Sequence, residues 1–455
     1  MSRILLSVHD VIWGTPLLLL ILGTGLWITV KSGCPQLLLF PRAMAESCRK
    51  LRWRQDNNGV SPFRALCTAL GATVGTGNIV GVAGAICLGG PGSVFWMWIC
   101  GILAMGTKYA EATLAVRFRV GFSGGPMYMI TEGMGSRWRS LAVAYSIFGI
   151  IASFGVGNAA QVNAVISGIN SIVVRQGVSE TLRRNLAIGL IFSVAVGYVL
   201  LGGTGRIGAA AEILVPFASL FYIGLCLTVL ALRWHLIPEA VFSIFRSAFA
   251  PQAVTGGAVG SVIQTLRIGC CRGVFTNEAG MGTASIAHGS AAVSHPAEQG
   301  LMGLVEVFLD TIVLCSLTAL VILVSGVNIP FGMDAGGTLT IDALSSVCGD
   351  WVSIALTVAL GLFAFAAVLG WSFYGTRCTQ FLFGQKAWEA FAAAQTIAVV
   401  LGAMLNTKTI WLLSELFNGL MAIPNLLVLA VLSPELSRLT KEYKKEVRRN
   451  FRRRR

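Results

Sequence analysis

The chain has 455 residues, of which 55% are hydrophobic and only 12% charged, with a formal net charge of +14; its mean hydropathy is +0.75. Soluble domains carry about 25% charged residues, so a water-soluble globular fold is excluded and lipid is the solvent for most of the chain. Membrane barrels need short alternating strands, whereas the apolar runs here are far longer, which leaves α-helices as the spanning structure.

A helix crosses the hydrocarbon layer with about 20 mainly apolar residues. In chain order the apolar runs predict helices over 14–30, 65–88, 92–115, 141–166 and 187–201. They continue over 213–232, a broken segment 262–288, then 301–324, 352–374, 388–405 and 410–432. The reading is an all-α membrane protein of about eleven transmembrane helices. The first run lacks a basic start and a small-residue cleavage site, so it reads as a retained helix and not as a secretory signal. The 11 cysteines are scattered, without a CxxC pair or a Cys/His spacing that builds a zinc or disulfide framework, and read as small buried hydrophobes.

Lysine and arginine in the connections set the orientation. Lys31, Arg42, Arg49, Lys50, Arg52 and Arg54 follow the first helix, Arg117, Arg119, Arg137 and Arg139 the third, and Arg206, Arg377 and Lys386 lie in later loops of the same parity. The tail from Arg438 to Arg455 adds a dense basic run on that side. The opposite side holds Arg3, Arg175, Arg183, Arg184, Arg233, Arg246 and Lys408. The amino terminus is therefore expected outside and the carboxyl terminus in the cytoplasm of a bacterial-type plasma membrane. The positive charge sits at membrane edges, where it serves topology and anionic lipid; a nucleic-acid partner is rejected.

Enzyme motifs are imitated without their context. Gly75, Gly77 and Gly81 in GTGNIVG mimic a dinucleotide fingerprint, but a membrane helix flanks them in place of a strand. Gly121, Ser123 and Gly125 match a nucleophile elbow, yet lie in a Gly-rich loop with no base nearby. His9, His235, His288 and His295 are too dispersed for a metal site and read as interfacial residues. An enzyme is not expected, and neither is a cofactor.

Two segments interrupt good apolar helices with glycines and amides: 71–78 (GATVGTGN) and 277–283 (NEAGMGT). Clustered glycine destabilises a helix, and unwound backbone at membrane depth must line a cavity or be buried in protein. Free N–H groups at a half-helix start hold a carboxylate, and free carbonyls at a half-helix end hold a cation or an ammonium group. Close helix packing is the competing explanation, since Gly71/Gly75 and Gly77/Gly81 are GxxxG pairs. Against it, the breaks fall five helices apart. One amino-terminal helix plus five and five, an odd number per repeat, makes inverted halves with a midplane site. This reading divides the chain into a first helix and basic loop (1–60), a transporter core (61–434, repeats 61–232 and 258–434) and a basic tail (435–455).

The segments TALGATVGTGNIVGVAGAI, KYAEATLAVRFR, GNAAQVNAV, RGVFTNEAGMGTASIAH, EVFLDTIV, FAFAAVLGWSFYG and NGLMAIPNL resemble the alanine/glycine:cation symporter family, also called sodium:alanine symporters, of the leucine-transporter-type fold. The resemblance implies that Thr76 and Gly77 offer amides to a substrate carboxylate, that Thr73 offers its carbonyl to the amine, and that Asn277 and Gly280 close the site. Gln161 and Trp371 would shape a pocket suited to alanine, glycine or serine; an interhelical hydrogen bond for Gln161 and plain packing for Trp371 are the alternatives. Sodium would be held by carbonyls of Gly71 and Val74, with Asn78 at an additional site. The family usually places two hydroxyl residues after FAF, where this chain has Ala366 and Ala367. That loss of oxygens leaves a proton-coupled or uncoupled facilitator or exchanger as the alternative, with a receptor or channel further off.

Intramembrane acids are the other place for coupling. Glu306 and Asp310 lie four apart, Lys108 and Glu111 have the spacing of a helical ion pair, and Arg272 lies near Glu278. Structural pairing is the first expectation for these groups and a proton relay the second. Glu415 stands where the family more often has Asp.

Overall fold

The computed structural model describes residues 12–50, 60–175, 182–333, 338–404 and 407–453. The expectations attached to Arg3, His9, Arg52, Arg54, Arg454 and Arg455 lie outside the described residues. Among the described residues the chain is helical throughout, and its only extended pairings are the isolated bridges Val60 to Ala291 and Val120 to Ser123.

Among the described residues six helices are long and apolar enough to cross a membrane: Ser136–Asn170, Leu182–Leu200, Gly203–Leu232, Pro296–Val324, Trp351–Phe383 and Gln385–Met404. Two further pairs pass together across a bend, Pro62–Thr73 with Gly77–Gly89 at 52°, and Glu415–Val431 with Ser433–Arg449 at 60°. Thr15–Lys31 is a shorter apolar helix. Gly92–Arg117 is 26 residues long but carries Lys108 and Glu111, both fully buried. The helix starts have local causes. Ser61 and Ser261 accept the amides of Arg64 and Gln264 as N-caps, and Pro62 and Pro296 stand in the first turn, where a missing N–H costs nothing.

The burial pattern is that of a lipid-facing bundle. Ile213, Leu220, Val194 and Ile191 are largely exposed on their helices, while Lys108, Glu111, Glu306, Asp310 and His288 are wholly buried. Charges at such depth persist only when paired and hydrogen-bonded. Polar groups therefore define the centre of the molecule.

Among the described residues several helices escaped the sequence reading, Phe40–Lys50 in the first basic loop among them. Ile237–Phe249 and Thr338–Cys348 are helices outside the expected spans. The basic tail forms another, Ser433–Arg453, which folds back against the bundle with Leu436, Leu439, Thr440 and Tyr443 buried. The residues of the predicted basic loops meet at this end: Arg117 pairs with Glu435, Arg42 donates to the Tyr443 hydroxyl, and Lys444 donates to the Gly33 carbonyl.

Candidate functional site

The first interruption is a true break. Pro62–Thr73 ends in its last turn, Val74 takes an extended conformation, and a π-helical turn, Gly77–Gly81, starts the continuation. The Gly75 amide donates to Asn78 Oδ1 at 3.0 Å, so Asn78 caps the restart. Thr76 and Gly77 occupy the first positions of that new helix, whose amides lack partners within it. Gly71 and Thr73 occupy the last turn of the first half, where carbonyls are left over.

The second interruption separates Val262–Asn277 from Thr283–His288. Three of the residues between take positive φ: Glu278 (52°), Gly280 (93°) and Gly282 (79°). A single carboxylate organises this stretch. Glu111 Oε1 accepts the amides of Gly280 (2.9 Å) and Gly282 (3.1 Å) and the Asn425 amide (2.7 Å), and Asn425 also donates to the Gly280 carbonyl. The expected pairing of Lys108 with Glu111 is therefore not made. Lys108 Nζ instead meets Glu306 Oε1 at 2.9 Å, while Glu111 Oε1 is taken by the donors of the broken helix.

Asp310 joins the two breaks. Its Oδ1 accepts from Asn78 Nδ2 at 2.8 Å and its Oδ2 from the Thr311 hydroxyl at 2.9 Å, while Asn277 Nδ2 donates to that same hydroxyl at 3.1 Å. Gly77 packs directly on the second broken helix, where an added Cβ would lie 3.2 Å from Thr276 Cγ2. Thr73, Thr76, Gly77, Asn78 and Asn277 are thus brought together. Gly280 stands apart, its amide on Glu111 and its Cα facing Leu426 and Ile21.

Gln161 follows a second π-helical turn, Gly155–Ala159. Its Oε1 lies 3.4 Å from the Thr76 hydroxyl and its Nε2 donates to the Val156 carbonyl, so it reaches the break and bonds its own helix. Trp371 is fully buried, closely packed on Gly157, and its indole N–H has no hydrogen-bond partner among the described residues. The long helix Trp351–Phe383 meets the first break face to face: an added Cβ at Gly71 would lie 3.4 Å from the Ala366 carbonyl, and one at Gly75 3.9 Å from Ala367 Cβ. The two alanines lie against Gly71 and Gly75 of the first break and bring no side-chain oxygen there.

His288 is the other departure from expectation. Far from interfacial, it is fully buried, with Nε2 2.8 Å from Glu306 Oε2 and Nδ1 2.7 Å from Gln299 Nε2. His235 is exposed and His295 half-buried as the N-cap of Pro296–Val307.

A cavity of about 370 Å³ lies beside Val262–Asn277, the first half of the second broken helix, lined by Gln264, Arg267, Cys271 and Phe275, with Leu88 from the end of the first. Phe275 forms the part nearest the breaks, one residue before the Thr276 that touches Gly77.

The sodium:alanine symporter family profile matches residues 1–454. The chain belongs to that family. It is 39% identical over 98% of its length to the sodium/alanine symporter AgcS of Methanococcus maripaludis, covering 97% of that protein. It is 34% identical over 96% of its length to the amino-acid carrier protein AlsT of Bacillus subtilis, covering 91% of it. Among solved structures it resembles MhsT, crystallised with L-phenylalanine, with a TM-score of 0.58 and 14% identity over 85% of this chain and 99% of the other. That likeness identifies the fold as the leucine-transporter type. The symporter is a multi-pass membrane transporter and not an enzyme.

Sequence reasoning missed Glu111 as the holder of the second break, Thr311 as its link to Asp310, and Asn425. The acids stood out as intramembrane charges, and Asn425 falls in the family-like NGLMAIPNL; their partners are not neighbours in sequence.

Proposed function

We propose that this chain imports a small neutral amino acid, alanine or glycine, by alternating access, coupled to a cation, sodium foremost. The observation that carries the reading is the break between Thr73 and Gly77, tied to the second break through Asp310, which leaves carbonyls of one half-helix end and amides of the next half-helix start side by side. A zwitterion has one charge for each.

In this reading the Thr76 and Gly77 amides hold the substrate carboxylate and the Thr73 carbonyl its ammonium group. Asn277 closes the site from the other broken helix, Gly280 shapes that break from behind through its bond to Glu111, and Gln161 and Trp371 limit side-chain size. Sodium is carried as co-substrate by the carbonyls of Gly71 and Val74 and at an additional position near Asn78, where the Asp310 carboxylate supplies charge. The eleven-helix count, the 61–232 and 258–434 inverted repeats, an outside amino terminus and a cytoplasmic carboxyl terminus belong to the same proposal.

The burial of Ala366 and Ala367 against the first break favours a second reading, proton-coupled or uncoupled exchange, because hard cations want oxygen ligands. Uptake of labelled alanine and glycine into proteoliposomes, under an imposed sodium gradient and separately a proton gradient, decides between them. Stimulation by sodium is the expected result. Stimulation by neither gradient establishes facilitation or exchange, and absence of saturable uptake of either amino acid removes the proposal.

A further inference from the structure

We propose that His288 is a proton-binding switch that holds the basic end of the transporter shut. The inference goes beyond amino-acid symport and uses alternating access only for its transport readout.

His288 ends Thr283–His288, the half of the second broken helix that points to the basic end. Its Nε2 faces Glu306 Oε2 at 2.8 Å, and Glu306 Oε1 faces Lys108 Nζ at 2.9 Å. An ionised carboxylate only accepts, so Nε2 carries a hydrogen. On the other side of the ring, Gln299 Nε2 is 2.7 Å from Nδ1 and 3.4 Å from the Pro62 carbonyl. With Gln299 donating to both, Nδ1 accepts and the imidazole is neutral. Gln299 thereby straps His288 of the second broken helix to the first residue of Pro62–Thr73. Beside this strap the Ala292 amide donates to the Val60 carbonyl at 2.8 Å, and Arg119 donates to the carbonyls of Gly289 and Ala291. The two broken helices are tied together at this end by these bonds.

A proton added at Nδ1 turns the ring into a donor on both sides. Gln299 can face it only by turning its amide, so that Oε1 accepts. That oxygen is buried and has no hydrogen-bond partner among the described residues, so the acceptor is at hand. The turn carries Nε2 away from Pro62. The balance is simple: one proton from the solvent at the basic end is gained by Nδ1, the bond from Gln299 to Pro62 is lost, and the bond from Gln299 to the ring reverses direction.

Charge permits the added proton. Lys108 and Glu306 neutralise one another, and the remaining charged groups around Lys108 are Glu111 from its own helix and Glu278 from the broken helix; Asp310 lies one turn beyond Glu306. Arg64 of Pro62–Thr73 is taken up by Glu212, and Trp351–Phe383 presents Tyr374 to the acids. Arg119 adds a cation at the Gly289 and Ala291 carbonyls, Lys50 is taken up by Glu298, and an added imidazolium faces the Glu306 carboxylate directly.

The test uses the full-length protein in detergent. Hydrogen exchange of 60–73 and 283–292, corrected for intrinsic rates, is compared at about pH 5.5 and 8, a window that spans histidine titration, with His288→Gln separating the histidine from the buried acids Glu111, Glu278 and Asp310. Protection is expected to fall about tenfold at the acid pH, the weight of one net hydrogen bond, and to be independent of pH in His288→Gln. Gln299→Leu, which removes the strap but not the histidine, is expected to have the lower protection at both pH values. Equal protection of the wild-type protein at the two pH values overturns the proposal, as does an unchanged acid response in His288→Gln. The wild-type comparison holds even when a variant fails to fold. In proteoliposomes, alanine exchange should accelerate as the pH on the side of the carboxyl-terminal helix falls; a pH response of exchange that survives in His288→Gln also overturns the switch. Absent alanine exchange with a normal acid response of protection refutes the substrate assignment and leaves the switch standing.

Discussion

At Gly77 a methyl group would come within 3.2 Å of Thr276 Cγ2, closer than well-packed carbon atoms sit. Gly77→Leu is expected to abolish saturable alanine uptake, with a folding cost of the order of 1–3 kcal/mol for the overpacked contact; retained uptake at normal expression disproves a site at this break. Gly280 is a poorer probe. Its φ of 93° makes every side chain strained there, so lost uptake reports backbone damage as readily as lost binding. Ala366 and Ala367 allow the converse experiment, since both lie against the glycines of the first break. Replacing them by Ser and Thr is expected to lower the sodium concentration for half-maximal uptake by about tenfold, a gain of about 1.4 kcal/mol in ion binding. An unchanged sodium dependence locates coupling elsewhere.

Between single residues and the whole bundle, the decisive element is the π-helical stretch Phe308–Cys315. On a regular helix Glu306 and Asp310 share a face. Here the widened turn begins between them, and Glu306 is held by Lys108 and His288 while Asp310 turns to Asn78. Such insertions in a helix mark functional positions. Asp310→Asn keeps the shape of the side chain and removes its charge, so it is expected to raise half-saturating sodium by about tenfold or more. Its thermal midpoint should move little, whereas Asp310→Ala, which strands the Thr311 hydroxyl and leaves Asn78 only the Asp310 backbone carbonyl and the Cys315 sulfur, should be the less stable by about 1–3 kcal/mol. The helix breaks were legible in sequence because glycine and asparagine act locally, through helix propensity and capping, on residues 71–78 and 277–283. The links between the breaks were not. Asn78 and Asp310 are 232 positions apart, and a π-helical turn depends on such partners more than on the residues inside it. The same reason explains why Lys108 was given Glu111, its neighbour in sequence, when its partner in the fold is Glu306, 198 positions away.

For the molecule as a whole, the two ends differ. At the basic end, Lys50 pairs with Glu298, Tyr109 bonds Thr440 and the carboxyl-terminal helix covers the junction; at the other, the cavity beside Gln264 and Arg267 descends to Phe275. In the proposed transport cycle substrate approaches from the end opposite the tail helix, and the proposed strap at His288 is the closed door. The tail helix is a second closure with a different response to acid. Hydrogen bonds from Arg438 and Arg117 hold the Glu435 carboxyl below its ordinary value. A depressed carboxylate contributes to docking above the unfolded value, about 4.3, and loses that contribution only as pH falls through the lower folded value. Its contribution is constant from pH 5.5 to 8. Leu436→Ala, which empties a fully buried position, is expected to loosen the tail by about 2–5 kcal/mol, seen as a lower thermal midpoint and weaker protection of 433–453. The acid-induced loss of protection at 60–73 should persist in this variant, because it arises at His288. If loosening the tail erases that response, the pH sensor is the tail helix and not the buried histidine.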